Sequence, residues 1–438
     1  MSTAITLPYA KRTLPNGLDV IVHEDRRVPI VAVNLWYHVG SKNERPGRTG
    51  FAHLFEHLMF EGSEHYNGGY FLPLQQAGAL LNGSTNSDRT NYWEVVPTSA
   101  LELALWMESD RMGYLLPALT RERFETQRGV VLNERRQNYE NRPYGMALMA
   151  LSAALFPPDH PYHWLTIGDA EDLRAMEFED VRSFFRTYYH PANASLALAG
   201  DIETERGFEL AEAYFGEIPG GEKPASVHAD ASVAREVRLV LEDRVELPRV
   251  YMAWHSPAMF AEGDAEADLL ADLLANGKTS RLYRTLVYDK RMALDVSAYQ
   301  HSREISSFFL LASTAAPGQS LTEITSLIDE RIQQVADEGP LDEEMERGLA
   351  QAEAHFMYRL QTVGGFGGKS DQLNAYNVLR GDPDFFADDL ARYRKATRDS
   401  VRANARKYLA FDRRVVLSIV PRGQTALALP GSETVSVS

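Results

Sequence analysis

An internal near-repeat constrains this chain most. Val22–Gly40 reads VHEDRRVPIVAVNLWYHVG, and Val240–Pro257 reads VLEDRVELPRVYMAWHSP. Each carries Glu-Asp-Arg, then a proline, then alternating apolar residues ending in an aromatic pair or Trp-His. Alternation of period two reads as a half-buried strand. After a polar gap each copy continues into an apolar helical run, GFAHLFEHLMFEGS from Gly50 and EADLLADLLANGKTS from Glu266. A repeat of this kind predicts two duplicated α+β domains, each a mostly antiparallel sheet flanked by helices. Between the copies lies Ile218–Arg235, IPGGEKPASVHADASVAR, without apolar periodicity. It reads as a linker, giving expected domains at 1–217 and 236–438 joined by 218–235. Further helices are expected at Ser99–Leu115, Arg121–Asn138, Glu179–Tyr188, Leu321–Ala336, Asp342–Leu360 and Asp384–Tyr408. Strands are expected at Ser195–Ala199, Ser307–Ser313 and Val415–Val420.

Composition narrows the chemistry. The 438 residues contain no cysteine, which excludes thiolate metal sites, cysteine nucleophiles and disulfide scaffolds. The formal charge of −16 argues against a nucleic-acid partner, which needs a basic surface to displace counterions. It suits basic or neutral partners. No apolar run is long enough to span a membrane. The start, MSTAITLPYAKRTLPNG, has no apolar leader core, so a cytoplasmic location is expected, or a periplasmic one if a leader has been removed.

The most informative residues are His53-Leu54-Phe55-Glu56-His57. On a helix, positions i, i+3 and i+4 share a face, so His53, Glu56 and His57 project together while Leu54, Phe55 and Leu58 pack inward. Two imidazoles one turn apart can grip a zinc ion. A carboxylate between them can take the proton of a water that the ion acidifies. Chance placement yields about 0.03 such patterns in a chain of this composition. A catalytic zinc site wants a third protein ligand and an open position. Glu134, in GVVLNERRQNYE, is the candidate: it lies on an expected helix whose Phe124, Val130 and Val131 form a buried face. On its own it reads more readily as a surface glutamate of a charged helix, flanked by arginine on one side.

H-x-x-E-H is the inverted zinc motif of the inverzincins. With LPNGLDVIV, LNGSTNSDRTNYWEVVP and YYHPANASLALAGDIE, the chain resembles the pitrilysin family of metallopeptidases along nearly its whole length, in the half-size form similar to mitochondrial processing peptidase subunits. In that family a ligand glutamate follows the second histidine by about 77 positions, and Glu134 lies 77 after His57. The resemblance implies His53, His57 and Glu134 as ligands of one Zn2+ per chain, and Glu56 as general base. It also implies that Asn82, Gly83, Ser84 and Thr85 lie on the edge strand that pairs with a peptide substrate. Members often carry a further glutamate seven residues before the ligand glutamate. Gln127 stands there, two turns from Glu134 and behind the metal.

Active members also use an arginine and a tyrosine seven apart in the second half, within a motif near Arg-Glu-Lys-Arg-Gly-Leu-Ala-Tyr. Here Tyr288 and Asp295 take those places, with Arg284, Arg291 and Tyr299 nearby but at the wrong spacing. Where the first copy has His53, Glu56 and His57, the second matches Asp268, Ala271 and Asp272. The resemblance therefore implies a zinc endopeptidase subunit whose arginine and tyrosine come from a homologous chain in a heterodimer, with a homodimer as the alternative. The non-enzymatic alternative is a scaffold or partner subunit of the same family. A zinc amidohydrolase acting outside peptides is a third reading. Gly364–Gly368 reads as a flexible loop or hinge, because a helix is expected before it and a phosphate-binding loop needs a strand there.

Overall fold

The computed structural model describes residues 6–437, so the first five residues of the MSTAITLPYAKRTLPNG start lie outside the described residues. Two compact units make up the chain, and neither is one continuous segment. The first comprises residues 1–133, 166–227 and 355–389; the second comprises 134–165, 228–354 and 390–438. Each unit thus takes one segment from the other half of the sequence. Residues 220–234 carry no helix or strand.

The first unit is built on a six-stranded sheet of β1 (Ala10–Thr13), β2 (Asp19–Glu24), β3 (Ile30–Tyr37), β4 (Leu80–Thr85), β5 (Thr90–Pro97) and β6 (Ala194–Gly200). Its order is β1-β2-β6-β3-β5-β4. Only β2 and β6 run parallel; the other neighbours are antiparallel. The second unit holds β7 (Val237–Asp243), β8 (Arg249–Ser256), β9 (Ala293–His301), β10 (Ser307–Ala315), β11 (Val415–Pro421) and β12 (Glu433–Thr434). Their order is β12-β7-β11-β8-β10-β9. Five strands repeat the first sheet, with β7 and β11 as the matching parallel pair and antiparallel pairing from β11 through β8 and β10 to β9; the edge differs, since β12 pairs parallel to β7 where β1 pairs antiparallel to β2. The expected duplication is present as topology.

The expected strands appear as β6, β10 and β11, and the helices at 101–118, 121–135, 178–188, 321–338 and 342–359 lie close to their expected spans. The single helix expected over Asp384–Tyr408 is two, Phe386–Lys395 and Arg398–Tyr408. The break falls where Thr397 caps the second helix by accepting from Ser400 N, a local bond that competes with helix continuation.

Four helices of the chain's first third position the candidate site: α1 (Phe51–Leu58), α2 (Phe71–Gln76), α3 (Leu101–Ala118) and α4 (Arg121–Arg135). The other face of the first sheet takes the helix Lys369–Arg380, whose Leu373 packs with Ile21 and Ala197. In the second unit the helix Ala147–Leu155 covers Ala253, Phe308, Leu310 and Leu417. The opposite face of that sheet buries a larger core, with Trp254, Phe309 and Val416 against the helices 264–275, 321–338 and 398–408.

Candidate metal centre

Helix α1 begins at Gly50, held at φ 91°, where a side chain's Cβ would come 2.8 Å from Leu173. Glycine meets both demands. No local side chain caps this helix. The Glu44 carboxylate does so from outside, accepting from Gly50 N at 2.9 Å and Ala52 N at 2.8 Å. Those donors would otherwise be orphaned, and the negative charge suits the helix N-terminus. The next turns divide as the pattern predicts. Phe51, Ala52, Leu54, Phe55 and Leu58 are buried, while His53, Glu56 and His57 are half-exposed together. Phe55 stacks on Phe184, Phe185 and Tyr189, which fixes the helix's rotation about its axis.

The imidazoles of His53 and His57 lie 4.9 Å apart, centroid to centroid, nearly perpendicular at 85°. Glu134 sits in the last turn of α4. The boundary between the compact units falls just before it, but the helix that carries it belongs up to Asn133 to the first unit. Buried Phe124 and Val131 anchor α4, whereas Val130, expected in that face, is 43% exposed. One donor atom each from His53, His57 and Glu134 lie within 4.8 Å of one another, the single such cluster among the described residues. Two imidazole nitrogens and a carboxylate oxygen form the donor set of a catalytic zinc site, with a place left for water or substrate. The residues present therefore fit the ion. Asn138 Nδ2 donates to Glu134 Oε1 at 3.3 Å.

Gln127 does not reach Glu134 by a hydrogen bond. Its Nε2 donates to Glu61 Oε1 at 2.6 Å. Because Glu61 follows α1, this bond ties α4 to the chain just beyond the histidines.

Asn82, Gly83, Ser84 and Thr85 lie in β4, which pairs with β5 on one side and ends the sheet on the other. Helix α1 packs against this strand. Asn86 N donates to Arg89 O at 3.0 Å and closes the β4–β5 hairpin. Alternation along an antiparallel ladder then turns the backbone groups of Leu81, Gly83 and Thr85 outward. Gly83 N is taken by its neighbour's side chain, Asn82 Oδ1, at 2.8 Å. Gly83 is closely packed: a Cβ would meet the Phe60 and Tyr92 rings at 3.0 Å, so either ring would have to shift to admit one.

Arg89 escaped the sequence reading. Its Nη1 donates to Ser84 O at 2.8 Å and Ser84 Oγ at 2.6 Å. Burial holds its guanidinium below the usual arginine range, while the charges of Asp371, Glu56 and Asp88 oppose that shift. It lay in a segment, NSDRT, that reads as a turn. Only the fold brings it into the field of Glu56.

In the second unit the helix Asp264–Ala275 also starts after a glycine at positive φ, Gly263 at 92°. Counted from these glycines, Glu266, Leu269 and Leu270 occupy the places of His53, Glu56 and His57. That is a two-residue shift from the match to Asp268, Ala271 and Asp272, and in either register no histidine remains. Tyr288 is 73% exposed. Asp295 is engaged locally, accepting from Thr314 Oγ1 at 3.0 Å and facing Arg249 at 3.5 Å.

The sheet pair and the His-His-Glu cluster on the H-x-x-E-H helix are the features on which the chain can be compared with known proteins. The comparisons bear on the same point. Residues 19–160 match the model of Insulinase (Peptidase family M16), and residues 175–352 match that of the Peptidase M16 inactive domain. The latter span begins downstream of His53, His57 and Glu134. The chain is 27% identical over 379 residues to zinc protease PqqE of Helicobacter pylori, covering 85% of each chain. It is 30% identical over 305 residues to the uncharacterized zinc protease Mb2805c of Mycobacterium bovis, covering 67% of this chain and 69% of that one. The crystal structure of a protease from Helicobacter pylori superposes with a TM-score of 0.87 at 25% identity, covering 95% of this chain and all of that one. The chain belongs to the M16, or pitrilysin, family of peptidases. Among the described residues no helix is long and apolar enough to cross a membrane.

Proposed function

We propose that this chain is a zinc-dependent endopeptidase subunit that hydrolyses short or unfolded polypeptides. The observation that carries this reading is the convergence of His53, His57 and Glu134 donor atoms within 4.8 Å on one side of α1. These three residues would hold the ion, which when bound supplies Lewis-acid polarisation of water and of the scissile carbonyl. Glu56, one residue before His57 on the same half-exposed face, takes the proton from the attacking water and returns it to the leaving amine. β4 binds the substrate as an added strand, and main-chain hydrogen bonding of that kind makes little demand on sequence.

The developing charge on the carbonyl oxygen needs preorganised donors. Asp295 stands where the family's tyrosine is expected, and it is committed to Thr314 and Arg249. We infer that the donors come from a homologous chain, in a heterodimer. Arg89 supports the second reading, a chain sufficient by itself or as a homodimer, because it places a cation of this chain in the field of Glu56. Hydrolysis of a quenched fluorescent peptide library by the purified chain, loaded with one zinc, separates the two. Activity lost in Glu56→Gln establishes self-sufficiency. Silence despite bound zinc, relieved by a homologous partner, establishes the heterodimer. Silence with every partner leaves a scaffold role.

A further inference from the structure

We propose that Leu80, Trp93 and Phe366 form a hydrophobic subsite on the sheet face away from α1, selecting bulky apolar side chains at every second residue of a bound peptide. The proposal rests on the reading of β4 as the substrate strand.

The pairing register defines three rungs across β3, β5 and β4 that share this face: Ala32–Val95–Leu80, Asn34–Trp93–Asn82 and Trp36–Asn91–Ser84. The opposite face carries Gly83 and Tyr92, which meet Phe60 immediately after α1. The Gly364–Gly368 segment lies on the three-rung face. A Cβ on Gly364 would come 2.6 Å from both Ala32 Cβ and Val95 Cγ2, so only glycine allows the backbone this close. Gly365 and Gly367 take positive φ values of 84° and 72°. Asp371 then fastens the loop over the third rung. Its carboxylate accepts from Gly367 N at 2.7 Å, Trp36 Nε1 at 2.8 Å and Asn91 Nδ2 at 3.0 Å. The loop is thus anchored at both ends to the sheet rather than free to swing.

The anchoring leaves one side chain standing above the second rung. The Phe366 ring meets Trp93 edge-on, 5.4 Å between centroids at 85°, and stays 51% exposed. On the same face, in the first rung and at the open edge, Leu80 is 70% exposed. Isolated exposed apolar residues need no explanation, but these two flank the unpaired edge of β4 on one face. The occupant that fits is an extended peptide. An added strand would replace Asn82 Oδ1 at the outward Gly83 N and alternate its side chains between the two faces. Those on the α1 face meet the metal side; those on the other face meet Leu80 and Phe366. The selectivity therefore has a period of two residues.

The test uses fluorescein-labelled ten-residue peptides of Ser and Gly with a single Leu or Phe walked through each position. Binding to Glu56→Gln full-length chain is read by anisotropy, and cleavage by the zinc-loaded wild type is read alongside. Tighter binding is expected at alternate positions only. Phe366→Ser should cut the Leu-over-Ser ratio by about tenfold at those positions, Leu80→Ser should cut it several-fold, and Phe366→Leu should keep most of it. A gain spread evenly over all positions, or a ratio unmoved by both Phe366→Ser and Leu80→Ser, overturns the subsite. Alternating binding without cleavage by any assembly leaves the subsite standing and removes the peptidase reading. Absence of binding to every peptide removes the subsite.

Discussion

At the scale of single residues, the site divides its labour among side chains with separable effects. His57 and Glu134 supply donor atoms from different helices, so replacing either should abolish stoichiometric zinc binding. Glu56 lies on the same face but outside that donor set. Glu56→Gln should therefore retain one zinc per chain by atomic absorption while peptide hydrolysis falls by about two to four orders of magnitude. Loss of zinc in that variant would instead make Glu56 a ligand. Gln127 lies outside the donor set and donates to Glu61 at 2.6 Å. Gln127→Ala should weaken zinc affinity roughly tenfold or more, with kcat of the fully loaded chain little changed. Competition against a chromophoric chelator measures the first quantity. A fall in kcat at saturating zinc would mean that the bond serves catalysis rather than metal retention. The His-x-x-Glu-His face was legible because helical spacing alone aligns it. Glu134 was not legible from its surroundings, since a half-exposed glutamate with arginines on one side looks like solvated surface. Its distance from His57, in the light of family resemblance, singled it out.

At the scale of elements, what holds β4 and β5 in place behind α1 is a buried polar knot on α3. Arg111 is 1% exposed, pairs with Glu108 and lies 3.5 Å from Glu94 of β5. Its guanidinium sits 4.0 Å over the Tyr70 ring and 4.1 Å over Tyr92. Burial, with the charge of Glu108, pushes the Glu94 carboxyl well above the usual range. Arg111→Met should cost about 3–5 kcal/mol in urea unfolding, because it strands buried carboxylates without their cation. Arg111→Met combined with Glu108→Leu should recover much of that loss. A single variant costing under about 1 kcal/mol would show that the knot is relaxed by water. The same physics explains which elements the sequence concealed. The helix Lys369–Arg380 buries Lys369, Ser370, Asp371, Gln372, Asn374 and Asn377 against the first sheet. Lys369 reaches Asp25 at 2.5 Å, and Asn374 Nδ2 reaches Asn34 O at 2.8 Å. A helix docked through polar groups has no apolar stripe to betray it, so hydrophobic periodicity missed it, and with it the exchange of segments between the two halves. The apolar helix Ala147–Leu155 was missed for the opposite reason: buried nearly all round, it has little periodicity to detect.

At the scale of the whole molecule, one topology has been used twice with different chemistry on the corresponding helix. In the first unit the helix after the positive-φ glycine presents His53 and His57 together, each with a donor atom within 4.8 Å of one from Glu134. In the second, Asp264–Ala275 buries its flank, and Asp268 receives a hydrogen bond from Tyr393 Oη at 2.6 Å. Burial drives the Asp268 carboxyl up to about 7, Asp264 and Asp272 push in the same direction, and Tyr393 and Arg392 oppose them. The consequence for stability has a definite sign. Because the folded-state value lies above the unfolded one, the folded chain holds a proton that the unfolded chain lacks between about pH 4 and 7. The stabilisation is complete below that window and is lost as pH rises through about 7. Urea unfolding of the wild type should therefore weaken from pH 5.5 to 8.5 relative to Asp268→Asn, by an amount on the order of a few kcal/mol. The comparison with Asp268→Asn cancels the other titrating groups, including His53, His57 and Glu134. Parallel pH profiles for the two proteins would mean that Arg392 and Tyr393 hold Asp268 ionised throughout. The second unit would then carry a buried charge on the helix that corresponds to α1.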